Sequence, residues 1–342
     1  MNKVIYPSLL LGGLLIYSWT FFFPVVPIEE EDSLAELLVS LGEDPMSHQV
    51  NFSIEGVSAE RGAALFTKGI AEKPNGGKTK KQSSHFVCTS CHNIQREDPD
   101  LSVSDPQARL EYVKEQGLPF LQGTALYGAV NRSSFYNGYY EKKYGDLVRP
   151  ARNNIREAIQ LCAIECAQGR RLVDWELESI LAYLWTLDLK LEDLQLSEQE
   201  MKQLTQAKAG RGNKQKAVDL LQSKYLNGSP ATFVKPPEDR KEGYPEVQKG
   251  NPDNGELIYE LSCLHCHQGG RYAFYELDGS KESFRHLKKH IGQYTRYSIY
   301  QVARYGTTPL NGKRSYMPNF TAEKMSNQQL EDLRAYIEQQ SE

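Results

Sequence analysis

The chain opens on an apolar run. From Val4 to Ile28 nearly every position is uncharged, with Leu9, Leu10, Leu11, Leu14, Leu15 and Ile16 followed by Trp19 and the aromatics Phe21, Phe22 and Phe23. About twenty apolar residues cross a bilayer and aromatics gather at its interface, so residues 1–28 predict a transmembrane anchor. Lys3 on one side, with Glu29, Glu30, Glu31 and Asp32 on the other, predicts an N-inside orientation. The competing reading is a cleaved signal peptide, which requires small residues at the cleavage site. The first Ala is Ala35, and the run has no Cys for a lipid anchor. Either reading exports the rest of the chain; the anchor predicts a single-pass protein of the cytoplasmic membrane with its soluble part in the periplasm.

Beyond the run, apolar residues recur at helical spacing and nothing alternates as a strand would, so the class is all-α. Residues 29–50 form an acidic, partly helical lead-in. A first domain is expected over 51–195, with a helix start and capping box at Ser58-Ala59-Glu60-Arg61, followed by Gly62, Leu65 and Phe66. A second, over 251–342, opens in parallel: Asp253-Asn254-Gly255-Glu256, then Leu257, Ile258 and Tyr259. Both also end alike, in helices carrying Ile180, Leu181, Ala182, Tyr183 and Leu184, and Leu330, Leu333, Ala335, Tyr336 and Ile337. These are two copies of one unit. Between them, 196–250 reads as a linker, first polar solvent-facing helix to Leu226, then a strap with Pro230, Pro236, Pro237 and Pro245.

The chemistry lies just after each opening helix. Cys88-Thr89-Ser90-Cys91-His92 and Cys263-Leu264-His265-Cys266-His267 are both C-x-x-C-H, the attachment pattern of a c-type haem. Two thiols about one helical turn apart each form a thioether to the macrocycle, and the adjacent His92 or His267 supplies the proximal nitrogen. A redox disulfide or zinc knuckle would also use C-x-x-C, but not with the histidine directly following, twice. Two covalently bound haem c groups are therefore expected. The formal net charge of -4 names no partner, and no basic stripe suggests nucleic acid. The 20 Tyr and 12 Phe suit pockets around a flat apolar ring, as they suit an ordinary core. An insertion, Gly69 to Ser84, carries Lys73, Lys78, Lys80 and Lys81 and reads as a solvated loop or an anion-collecting rim.

The distal ligands differ. In the first domain no methionine lies between Met46 and Met201, and no histidine between His92 and His265. Upstream of the terminal helix stand Cys162 and Cys166, on the apolar face of a helix expected over 153–167. A thiolate ligand, two buried thiols, a local disulfide, or a ligand folded back from Met46, His48, His85 or Met201 all remain open.

Two resemblances bear on this choice. The Gly and aromatic of each opening helix, together with Met317-Pro318 ahead of the last helix, resemble class I cytochromes c, which implies Met317 as distal ligand opposite His267. The stretch from Gly123 to Arg132 (GTALYGAVNR), with Ile159-Gln160-Leu161-Cys162 and Gly169-Arg170, resembles the N-terminal domain of thiosulfate dehydrogenase and related sulfur-oxidising cytochromes. That resemblance implies a His/Cys haem with Cys162 as ligand and catalytic centre, leaving Cys166 as an extra thiol. The chain departs from the family in a longer Tyr-rich spacer after Arg132 and in Ala167, where the family has Met. The expected function is electron transfer between a redox donor and an acceptor protein. The alternatives are an enzyme oxidising a sulfur oxyanion at the first haem, positioned by Arg132 or Arg170, and a cytochrome subunit of a larger oxidoreductase.

Overall fold

Short polar residues start nearly every helix. Ser33, Ser58, Asp105, Asn137, Asn154, Ser197, Asn213, Asn251, Ser280 and Ser326 each accept a backbone N–H of the first turn, satisfying a donor with no intrahelical partner. The computed structural model describes residues 27–308 and 314–342. The expected anchor lies almost wholly outside the described residues, and no helix among these is long and apolar enough to cross a membrane.

In chain order the helices are α1 (Leu34–Leu41), α2 (Ala59–Lys68), α3 (Pro106–Glu115), α4 (Gly138–Tyr144), α5 (Ile155–Leu161), α6 (Asp174–Trp185), α7 (Glu198–Lys208), α8 (Lys214–Ser223), α9 (Pro252–Ile258), α10 (Leu264–His267), α11 (Lys281–Ile291), α12 (Ile299–Tyr305) and α13 (Asn327–Gln340). Among the described residues there are no strands, only three isolated bridges. The regular structure of the described residues is all-helical.

Two helix crossings are built alike. Gly62 on α2 faces Ser179 and Tyr183 on α6, and Gly255 on α9 faces Asp332 and Tyr336 on α13. A Cβ at either glycine would overlap the opposing backbone carbonyl, so only glycine admits these crossings. Four residues along, Phe66 meets Tyr183 with ring centroids 5.4 Å apart, and Tyr259 meets Tyr336 at 5.6 Å. The glycine, the aromatic and the tyrosine share one spacing in both places.

Among the described residues, three apolar clusters form the core. One joins Leu65, Phe66, Ile155, Ala163, Leu177, Ile180, Leu181 and Leu184. A second joins Ile258, Tyr259, Phe284, Leu287, Tyr300, Leu330, Leu333 and Ile337, and takes in Leu110, Val113 and Phe120. Thus α3, which lies in sequence within the expected first domain, packs into the C-terminal core. The third joins Leu34, Leu37 and Leu41 of α1 to Leu204, Ala207, Ala217, Val218 and Leu221 of α7 and α8. The helices of 197–226 are therefore not wholly solvent-facing: each has one narrow apolar stripe, hidden in a polar composition, that buries against the acidic lead-in. At Ser58 the expected capping box is half-formed. Its hydroxyl accepts from Arg61 N–H, but its own N–H goes to Ser179 Oγ at 3.2 Å, because the third helical residue, Arg61, carries no acceptor.

Candidate haem sites

The second motif ends a nearly continuous helix. α9 runs through a wide five-residue turn, Tyr259–Cys263, into α10, which carries Cys266 and His267. His267 Nδ1 lies 2.6 Å from the Tyr275 carbonyl oxygen. The oxygen can only accept, so Nδ1 carries the proton and Nε2 keeps its lone pair for a metal. Met317 packs on the same cluster as Cys263, Leu264 and Tyr275. Its backbone is held at both ends of its own residue: Met317 N–H to Thr307 Oγ1 at 2.8 Å, and Thr307 N–H to the Met317 carbonyl at 2.8 Å. Burial pushes the Cys263 thiol up to about 12 and the Cys266 thiol to about 11. Two thiols and an imidazole nitrogen from the motif, with a thioether packed on the same apolar cluster as Cys263, make a donor set that fits a covalent haem.

The first motif lies on a tight turn, Cys88–Ser90, rather than on a long helix. His92 Nδ1 is 2.7 Å from the Thr124 carbonyl, which fixes the same tautomer. A Cβ at Gly123 would come within 2.6 Å of His92 Nδ1 and Cε1, so glycine there lets the chain close over the ring. Burial pushes Cys88 up to about 12 and Cys91 higher still.

Facing these thiols, α5 continues into a second wide turn, Cys162–Cys166, which brings both cysteines to the motif's side; Cys162 is half-buried and Cys166 exposed. Such widened turns recur at functional sites. Cys166 is lowered below an ordinary thiol because it accepts hydrogen bonds from Cys162 and Tyr136, and Cys162 is raised as the donor. The Lys-rich insertion has two parts. Lys73, Lys78, Lys80 and Lys81 are exposed, while Gln82 and Ser83 are buried and grip the wide turn, through Gln82 Nε2 to Ala163 O at 2.8 Å and Ser83 Oγ to Ala167 O at 2.5 Å.

The fold-back candidates are placed as follows. His48 is buried, with Nε2 2.7 Å from Val130 O and its ring against Trp185. Met201 packs with α1 and α8, and Met46 is half-buried on the lead-in. His85 adjoins Phe86, two residues before Cys88. Phe86 meets Tyr272 at 6.4 Å and Tyr316 at 5.9 Å, so aromatics on both sides of the two motifs form one wall. Arg170 is taken by Glu176, and Arg132 is half-buried with Nη1 3.4 Å from Ser229 Oγ.

Sequence reasoning passed over a third feature of the first site. Glu97, five residues after His92, is fully buried against Arg109, with Nε to Oε1 at 3.2 Å, and against Lys324, with Nζ to Oε1 at 2.7 Å. Burial alone would raise its carboxyl, but Arg109 and Lys324 outweigh it and hold the group well below the usual range. No spacing rule marks this trio, whose members lie at three distant points of the chain.

Residues 250–337 match the family described as "Cytochrome C oxidase, cbb3-type, subunit III". No curated protein and no solved structure matches the chain. The fold and the match together define a protein with a c-type cytochrome domain. Covalently bound haem c, iron and electron transfer follow for that segment.

Proposed function

We propose that the chain is a membrane-anchored dihaem cytochrome c, facing the periplasm, that passes electrons between a redox donor and an acceptor protein. The observation that carries the second haem is the shared treatment of the motif histidines. Each donates Nδ1–H to a backbone carbonyl and keeps Nε2 for iron. The matching glycine crossings support two cytochrome c units, at 51–195 and 251–342. Haem bound at each motif supplies a one-electron ferric–ferrous couple. In the second unit His267 and Met317 would hold the iron, and Cys263 and Cys266 would form the covalent links. In the first, Cys88 and Cys91 would form the links, and His92 would hold the iron together with the thiolate of Cys162. An anionic thiolate favours the ferric state and a thioether the ferrous one, so the two sites are poised at different potentials, within a range of roughly 0.8 V open to axial ligation.

Electron paramagnetic resonance of the ferric protein tests the ligand assignment. A low-spin thiolate signal should be present in the parent, lost in Cys162→Met and kept in Cys166→Ser. Loss with Cys166 instead moves the ligand one turn along the helix, survival in both variants overturns the assignment to Cys162, and absence of the signal from the parent removes the thiolate from the account.

A second reading, a subunit of a larger oxidase, is favoured by the family match over 250–337. Co-purification of an oxidase from mild detergent would support it. Direct oxidation of a sulfur oxyanion has less behind it. Arg170 is engaged by Glu176 and Arg132 is half-buried beside Ser229, while the lysines of the insertion are exposed. A thiosulfate-to-tetrathionate assay decides that question.

A further inference from the structure

The carbonyl that holds His92 belongs to the Thr124–Ala125 peptide. The N–H of that same peptide, on Ala125, donates to Glu97 Oε1 at 3.0 Å. One amide therefore links imidazole to carboxylate: His92 Nδ1–H to O=C, then N–H to Glu97. Glu97 also accepts from the side chain of Asn93, the residue after His92, through Oε2 at 2.9 Å. Hydrogen bonds in series polarise one another, most strongly where solvent is excluded. A carboxylate behind a ligating histidine raises the basicity of the ring.

Opposite Glu97 stand two cations. Arg109 bonds to the Leu121 carbonyl at 2.5 Å and to the Lys324 carbonyl at 3.1 Å, with its guanidinium over Phe120 at 4.4 Å. Lys324 comes from the other half of the chain, seven residues after Met317 and just before α13. Arg132 and Asp98 border the same buried region.

We propose that Glu97 is a positioning residue that acts on His92 through the Thr124–Ala125 peptide to favour the ferric state of the first haem, and that Lys324, supplied by the C-terminal half, is its counterweight. This rests on the first C-x-x-C-H holding haem. An unopposed carboxylate pushes electron density toward the ring; a cation on the same oxygen draws it back. Docking of the C-terminal half thereby sets the potential of the N-terminal site. His267, held by the Tyr275 carbonyl with no bond to Glu97, is the internal control.

The test is a spectropotentiometric titration of the full-length holoprotein, run after the haem content of each variant is measured. Glu97→Gln should move the first couple to more positive potential and Lys324→Met to more negative, each by roughly tenfold in the ferric-to-ferrous ratio at fixed poise, about 59 mV for a one-electron couple. The second couple should stay in place. In the reduced protein, the proton resonance of His92 Nδ1–H should shift upfield in Glu97→Gln, a readout that loosened packing alone does not give a sign. Shifts of the same sign in both variants, equal shifts of both haems, or no shift overturn the proposal. If Glu97→Gln does not fold, Lys324→Met leaves the Arg109–Glu97 pair intact and decides the matter by its sign. Haem missing from Cys88 and Cys91 in the parent would instead sink the dihaem reading, and haem content separates the two failures.

Discussion

At the scale of single residues, the two C-x-x-C-H motifs are legible in the sequence and the contacts that hold their histidines are not. Thioether attachment would need two thiols and a histidine in five consecutive positions, the pattern present at Cys88–His92 and at Cys263–His267. The partners that fix each imidazole are backbone carbonyls, at Thr124 and Tyr275, and any residue type can supply a carbonyl. Gly123 leaves a trace, since its missing side chain is what lets the chain close on His92. Met317 stands out in the sequence through its proline neighbour, whereas its anchoring to Thr307 does not. Met317→Ala should abolish the methionine-to-iron charge-transfer band in the ferric spectrum and lower the potential of the second haem, with His267 still bound. An unchanged band would assign the distal position to another group.

Among the helices, the sequence marked positions wherever the amphipathic period was strong. α6 and α13 fall where apolar spacing places them, and Ser58 and Ser326 start their helices as short polar residues do. Two features escaped. α3 has the composition of a surface helix, yet Leu110 and Val113 insert into the C-terminal core, because contacts across more than a hundred residues leave no local pattern. α7 and α8 carry so many charges that stripes such as Ala217, Val218 and Leu221 were masked by them. The glycine crossings make a quantitative prediction. Gly62→Ala and Gly255→Ala must push a helix off its neighbour's backbone, a kind of overpacking that costs about 1–3 kcal/mol. Gly138, whose added Cβ would meet nothing within 4 Å, is the control. Gly138→Ala should be neutral or stabilising by up to about 1 kcal/mol. Denaturant midpoints of the three variants check this; equal effects would mean that the crossings are not close-packed.

Across the whole molecule, a buried ion cluster joins the two halves: Glu97 and Arg109 from one, Lys324 from the other. The sequence shows these as three ordinary surface charges. Only the fold strips their water, and a charge so buried is tolerated because it is paired. Glu97→Gln would leave two buried cations sharing a neutral amide, and should destabilise by about 3–5 kcal/mol. The pH dependence has a definite sign. Glu97 in the folded chain lies below its ordinary value of 4.5, so its contribution is fully present above that value and is lost as the pH falls toward the folded value. Unfolding midpoints measured from neutral to acid pH should therefore decline below about 4.5 in the parent, and more gently in Glu97→Gln; parallel curves would show that the cluster does not tie the halves together. All of this surrounds the two motifs proposed to hold covalent haem. Intact mass of the purified, denatured chain tests that most directly, combined with peptide mapping of Cys88, Cys91, Cys263 and Cys266. The account predicts two haem additions, one on each cysteine pair, resistant to acidified organic solvent. A chain carrying a single addition at Cys263 and Cys266, with Cys88 and Cys91 free, would contradict it.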